Sequence, residues 1–230
     1  MKFNGFQKLT LLDYPGKVAC TLFTAGCNLR CPFCHNASLV THIDNVVSYD
    51  EDEILDFLGK RQGILEGVCI TGGEPLMQSE ITDFIKKVKE LGYSVKLDTN
   101  GSFPEKLISL AESKLIDYLA MDIKNCKEKY ALTSGIADLQ IGNIEKSVEF
   151  LLSGKIGYEF RTTIVSQFHT PQDIVEIAKW IKGADKYFLQ NFVDSGDLIT
   201  DGLCAVSPET MQDMRAKAAK FIPNAQIRGI

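Results

Sequence analysis

Val18-Ala19-Cys20-Thr21-Leu22-Phe23-Thr24-Ala25-Gly26-Cys27-Asn28-Leu29-Arg30-Cys31-Pro32-Phe33-Cys34-His35-Asn36 is the stretch on which the reading of this chain turns. Its first seven residues carry no charge and mix β-branched with apolar side chains, as expected of a strand buried on both faces. A short polar loop follows at once and holds Cys27, Cys31 and Cys34 within eight residues. A buried parallel strand ending in a loop of reactive side chains is how parallel α/β folds present their chemistry.

Working outward, further strand-like runs lie at 67–71, 93–98, 117–123, 158–165 and 186–192. Helix-period patterns separate them at 50–61, 79–91, 104–113, 143–153 and 171–182, and a last one covers 208–221. Ser79-Glu80 is expected to open one helix, Pro171 sits in the first turn of another, and Ser207-Pro208 pairs a cap with a proline just inside. Repeated strand-then-helix order predicts right-handed βαβ units and a parallel sheet. Six units fall short of the eight that close a full barrel. The expectation is a partial (β/α)6 barrel with parallel strands, forming a single domain over 1–230; a flat doubly wound sheet is the alternative.

On this framework the polar residues gather at one end. Gly72-Gly73-Glu74-Pro75 follows the second strand, Asp98-Thr99-Asn100-Gly101 ends the third, Asp122-Ile123-Lys124 ends the fourth and Gln190-Asn191 lies near the end of the sixth. The clustering at carboxyl ends favours an enzyme.

Composition sets the outer limits. The chain has 230 residues, 45% hydrophobic and 24% charged, which is ordinary for a globular protein with a sizeable core. A formal charge of −5 makes sequence-independent binding to nucleic acid an unfavourable reading. No uncharged run approaches the ~20 residues that span a bilayer, and the first residues lack an apolar signal region. A cytoplasmic protein without a membrane partner is expected. In a reducing compartment a crowded cysteine loop is metal-binding or catalytic before it is a disulfide framework.

Three thiolates this close can wrap one compact iron–sulfur cluster. Four cysteines normally complete a cubane, so three would leave one iron without a protein ligand, and an open position is what a catalytic metal site keeps. Two other readings stand beside it. Zinc could take the three cysteines with His35, although adjacent Cys34 and His35 strain a tetrahedral set; three small buried residues are the other. Cys20 and Cys69, inside strands, read as small core hydrophobes, and His42 and His169 as surface residues.

Cys27-x3-Cys31-Pro32-Phe33-Cys34 resembles the C-x3-C-x-aromatic-C signature of the radical S-adenosylmethionine enzymes. With Asp13-Tyr14-Pro15-Gly16 before it and Cys34-His35-Asn36 closing it, the segment is similar to the activating enzymes of glycyl-radical enzymes, most of all those of anaerobic ribonucleoside-triphosphate reductase. The motifs run from about residue 5 to 123. The resemblance implies a [4Fe-4S] cluster on Cys27, Cys31 and Cys34 and S-adenosyl-L-methionine as cofactors. It implies reductive carbon–sulfur cleavage to a 5′-deoxyadenosyl radical, which takes a hydrogen atom from a glycine of a partner enzyme. The implied partners are that glycyl-radical enzyme, anaerobic ribonucleotide reductase first, and a low-potential donor such as flavodoxin or ferredoxin.

The resemblance also gives the other residues expected roles. Gly72-Gly73-Glu74 would hold the amino end of S-adenosylmethionine, with glycine backbone close and Glu74 or carbonyls accepting from the ammonium. Asp98 can accept ribose hydroxyls, unless it only makes an Asx-type turn. Arg161, mid-strand, suits either a ligand carboxylate or an internal salt bridge. Lys124 and Asp122 pair with each other or touch the partner, Gln190 and Asn191 border adenine, and Phe33 packs with its backbone near the base. Asp13 is expected near the cofactor and the incoming peptide. Two rivals remain: an activase of another glycyl-radical enzyme such as pyruvate formate-lyase, or a radical enzyme for a small molecule. A non-enzymatic iron–sulfur or zinc module would leave Gly72–Glu74 and Asp98 unexplained.

Overall fold

The computed structural model describes residues 1–43 and 47–228. Among the described residues ten strands are formed: β1 (Lys2–Phe3), β2 (Gly5–Thr10), β3 (Ala19–Thr24), β4 (Tyr49–Asp50), β5 (Gly67–Gly72), β6 (Ser94–Thr99), β7 (Tyr118–Asp122), β8 (Gly157–Ile164), β9 (Tyr187–Asn191) and β10 (Ala225–Arg228). The helices are α1 (Ala37–Thr41), α2 (Glu51–Gly59), α3 (Ile81–Glu90), α4 (Pro104–Glu112), α5 (Tyr130–Ser134), α6 (Ile141–Leu152), α7 (Pro171–Trp180) and α8 (Pro208–Ala218). No helix among the described residues is long and apolar enough to cross a membrane.

One eight-stranded sheet runs β10-β9-β8-β7-β6-β5-β3-β2. Every neighbouring pair is parallel except β2 with β3, which is antiparallel and carries a bulge between Gln7 and Thr10. The sheet therefore ends in two free edges, as a partial barrel does. The six expected strands are all present; two further members, β2 and β10, extend them at either edge. β2 escapes sequence reading because most of its side chains are half-buried or exposed, and β10 is four residues of mixed polarity.

The central strands are buried on both faces, as Val68, Cys69 and Ile70 in β5 or Leu119, Ala120 and Met121 in β7 show. Helices close over them by their apolar stripes. In α3 the buried residues are Ile81, Phe84, Ile85 and Val88, the spacing of one helical face. α7 begins with the capping box of Thr170 and Asp173, with Pro171 in its first turn. Ser207 caps α8 by accepting from the Thr210 N–H at 3.2 Å. Ser79 does not cap α3: its hydroxyl donates to the Glu80 carboxylate, and the helix starts at Ile81 without a side-chain cap.

The end of β5 is where strand and cysteine loop meet most closely. Gly72 has φ +115°, and a Cβ there would lie 2.4 Å from the Thr24 carbonyl oxygen; one on Gly73 would lie 2.0 Å from that of Gly26. The closeness is fixed by the Gly73 N–H donating to Thr24 O and the Glu74 N–H to Gly26 O, both at 2.8 Å. Gly73→Ala is accordingly expected to force the loop off β5 and lower stability by about 1–3 kcal/mol, the usual range for overpacking. Denaturant midpoints check this, and an unchanged midpoint would mean that the Gly26 turn gives way freely.

Candidate active site

Cys27, Cys31 and Cys34 line one cavity of about 400 Å³ at the carboxyl ends of the strands, a volume within the range of small-molecule sites. The loop that carries them is held from several sides. The Arg30 N–H donates to Ser134 O at the end of α5, the Gly26 N–H to Leu39 O in α1, and the Thr200 N–H to Pro32 O. Burial pushes the Cys31 thiol up to about 12, against the pull of Lys124; burial also raises Cys27. Metal binding at such thiols releases their protons.

His35 does not turn toward the thiols. Its Nε2 lies 2.8 Å from Val193 O, and its ring stacks on Phe192 at 5.5 Å. That removes the fourth ligand of the zinc reading. Phe33 is 4% exposed and packs with Val165 and Phe192, closing the loop against the ends of β8 and β9.

Gly72 and Gly73 line the cavity beside the cysteines, whereas Glu74 does not. Its carboxylate, fully buried, accepts the Leu76 N–H at 3.1 Å, the Thr99 hydroxyl at 2.8 Å and the Asn100 N–H at 2.7 Å. The expectation that this carboxylate receives a ligand's ammonium is corrected: it faces inward and ties β5 to the end of β6. Burial pushes it up to about 7, against the three donors.

Across β6, β7 and β8 runs a ladder of alternating charge. Lys96 pairs with Asp98, Asp98 with Arg161 at 3.1 Å, Arg161 with Asp122 at 2.9 Å, and Asp122 with Lys124 at 3.1 Å. Three cations face two carboxylates, leaving one net positive charge. Burial alone would raise Asp98, but Arg161 and Lys96 hold it below the usual carboxylate range. Burial likewise opposes ionisation of Asp122, yet Arg161 and Lys124 lower it. Lys124, depressed by burial, is raised overall by Asp122 and Cys31. Asp98, Asp122, Lys124 and Arg161 all line the cavity. Arg161 thus takes the internal-salt-bridge alternative while keeping a place in the wall.

Asp13 and Gln190 also line the cavity; the Thr21 hydroxyl donates to Asp13 Oδ2 at 2.5 Å. Asn191 is not in the wall, because its amide exchanges hydrogen bonds with the Val206 backbone. Sequence reading gives no role to Lys96, and none to Asn100 beyond its place in the polar segment 98–101. Lys96 stands two residues before Asp98 in the same strand, hence on the same face of it, and opposite charges at that spacing signal pairing.

His169 is likewise corrected: it is buried, 3% exposed, and braces the site. The Val165 N–H donates to its Nδ1 at 3.1 Å, which leaves Nε2 to donate to Lys124 O at 2.9 Å. Burial lowers its proton affinity. Above the ordinary histidine value of about 6.5 neither folded nor unfolded chain is protonated there; below it the unfolded chain takes the proton first, and stability is lost as pH falls. The stability advantage of the parent over His169→Gln should therefore shrink between pH 7 and pH 5. Urea unfolding at several pH values checks this, and a pH-independent difference would contradict it.

The comparisons with known proteins bear on this arrangement. The radical SAM superfamily model matches residues 21–181, from β3 through the cysteine loop to the end of α7. A Methanocaldococcus jannaschii protein named as a glycyl-radical enzyme activating enzyme is 32% identical over 234 residues, covering 99% of this chain and 95% of the relative. The pyruvate formate-lyase-activating enzyme of Staphylococcus aureus is 26% identical, over 79% of this chain and 76% of its own. Among solved structures, SuiB of Streptococcus suis superposes with a TM-score of 0.71 at 15% identity, over 91% of this chain and 48% of SuiB. The chain thus spans about half of SuiB, and that likeness speaks to fold alone. With a family model covering most of the sheet and the whole cysteine loop, the protein belongs to the radical SAM superfamily, enzymes that work with a [4Fe-4S] cluster and S-adenosylmethionine.

Proposed function

We propose that this protein is a radical activase that generates a glycyl radical on a partner enzyme, specifically anaerobic ribonucleoside-triphosphate reductase. One observation carries the activase reading: the match to the activating-enzyme relative runs over 99% of the chain and does not stop at the cofactor-holding half. The motifs Asp13-Tyr14-Pro15-Gly16 and Cys34-His35-Asn36 support a protein glycine over a small metabolite as the substrate, and the overall resemblance favours the reductase among glycyl-radical enzymes.

The donor set fits the cluster. Cys27, Cys31 and Cys34 share one cavity wall and would hold it, while His35, engaged with Val193, is not a fourth ligand. When bound, the cluster and S-adenosylmethionine supply one-electron carbon–sulfur cleavage and a radical that takes a hydrogen atom from glycine. The chain's own residues bind and orient. The backbone of Gly72 and Gly73, free of side chains, lets an ammonium approach its carbonyls. Asp98 keeps lone pairs for ribose hydroxyls although Lys96 and Arg161 hold it. Arg161 and Lys124, the two ladder cations in the cavity wall, would attract a ligand carboxylate. Asp13, beside the exposed Leu11 and Leu12, would border the incoming glycine loop, and a low-potential donor such as flavodoxin or ferredoxin would deliver the electron.

The test is direct. Anaerobically reconstituted protein, mixed with S-adenosylmethionine, a low-potential reductant and the co-encoded anaerobic ribonucleotide reductase, should give the electron paramagnetic resonance doublet of a glycyl radical. Cys31→Ala should lose its iron and the signal entirely. If 5′-deoxyadenosine accumulates yet no candidate glycyl-radical enzyme acquires the doublet, the activase reading is wrong.

A further inference from the structure

Asn100 stands between the buried Glu74 and the cysteine loop, and its side chain has one fixed orientation. Its Oδ1 accepts the Ser102 N–H at 2.9 Å and the Ser102 hydroxyl at 2.6 Å. A backbone N–H can only donate, so the amide atom facing it is the oxygen. The Nδ2 group therefore points the other way, 3.0 Å from Asn28 Oδ1 and 3.7 Å from Cys27 Sγ. The same sulfur accepts the Leu29 N–H at 3.4 Å.

The backbone beneath this amide is equally fixed. The Asn100 N–H donates to Glu74 at 2.7 Å, the neighbouring Thr99 hydroxyl donates to the same carboxylate, and the Ser147 hydroxyl donates to Gly101 O at 2.7 Å. Asn100 is 6% exposed and lines the same cavity as the cysteines. The turn itself needs only an acceptor at position 100 to receive Ser102, which aspartate would supply as well. What an asparagine adds is the donor aimed at Cys27.

We infer that Asn100, anchored by Glu74, is a positioning residue that donates an N–H to the Cys27 thiolate and raises the reduction potential of the cluster. This rests on the cluster assignment made above. One-electron reduction adds negative charge to the cluster and its thiolates, and a donor held at a ligand sulfur stabilises the charge-richer state more than the oxidised one. Because the donor is oriented before the cluster binds, no reorganisation opposes the effect.

The experiment uses the full chain, reconstituted anaerobically with iron and sulfide, as parent, Asn100→Asp and Asn100→Ala. Asn100→Asp keeps the acceptor for Ser102 and removes the donor; Asn100→Ala removes the donor without adding charge. Iron content is measured first, and the midpoint is then followed by electron paramagnetic resonance against one-electron mediators. Both variants should keep their iron and shift to more negative potential. The ratio of reduced to oxidised cluster at the parent's midpoint should fall about tenfold, which for one electron is about 59 mV. A parental midpoint in iron-loaded Asn100→Ala overturns the inference even if Asn100→Asp shifts, since charge alone would then explain it. Loss of iron from Asn100→Ala or Asn100→Asp also overturns it, because Asn100 would then be needed to hold the cluster and not to tune it. A parent chain that binds no iron would instead refute the cluster assignment.

Discussion

Glu74 carries a carboxylate with no exposure to solvent and three hydrogen bonds that all arrive from the protein. Through them the end of β5 and the end of β6 are fixed relative to each other. The Glu74 N–H, donating to Gly26 O, fixes the start of the cysteine loop to the same point. A buried carboxylate left without its donors would be costly, so the three segments stay together or the mouth does not form. The two glycines before it serve the same closure, since any side chain at Gly73 would meet the Gly26 carbonyl.

The second constraint is electrostatic. Lys96, Asp98, Arg161, Asp122 and Lys124 share four ion pairs across three adjacent strands. Parallel register sets this up: Asp122 is paired with Arg161 across β7 and β8, and Asp98 lies opposite Ala120 across β6 and β7. The small Ala120 leaves room for Arg161 to reach past β7 to Asp98. Buried ion pairs of this kind contribute little net stability because desolvation offsets attraction. Their result here is a cavity wall in which two cations, Arg161 and Lys124, are held in place beside Asp98, Asp122 and Asp13.

Much of this was legible in the sequence. The six central strands carry apolar and β-branched runs separated by helix-period stretches, the alternation that a parallel sheet with helices on its faces leaves in a sequence. The cysteine loop and the Gly72-Gly73 turn are legible for a different reason: three cysteines within eight residues and two adjacent glycines are local patterns, and the glycines are required by the approach of the Thr24 and Gly26 backbone. What failed were interactions made across space. Nothing local distinguishes a glutamate facing a ligand from one facing inward, so the sequence leaves Glu74 and the backbone carbonyls as equal candidates to accept an ammonium, and the structure turns Glu74 inward. His169 lacked a neighbouring motif, yet its partners Val165 and Lys124 come from β8's end and the segment after β7. The edge strand β2 and the short β10 lack the periodicity that burial imposes.

We propose that Cys27, Cys31 and Cys34 would hold a four-iron cluster with one iron left for S-adenosylmethionine. Mössbauer spectroscopy of the reconstituted protein, with and without S-adenosylmethionine, tests it most directly. Four irons per chain are expected, one of which changes its spectrum when the ligand is added while the other three do not. A spectrum unaltered by saturating S-adenosylmethionine, or a chain that takes up one tetrahedral metal ion in place of four irons, would contradict it.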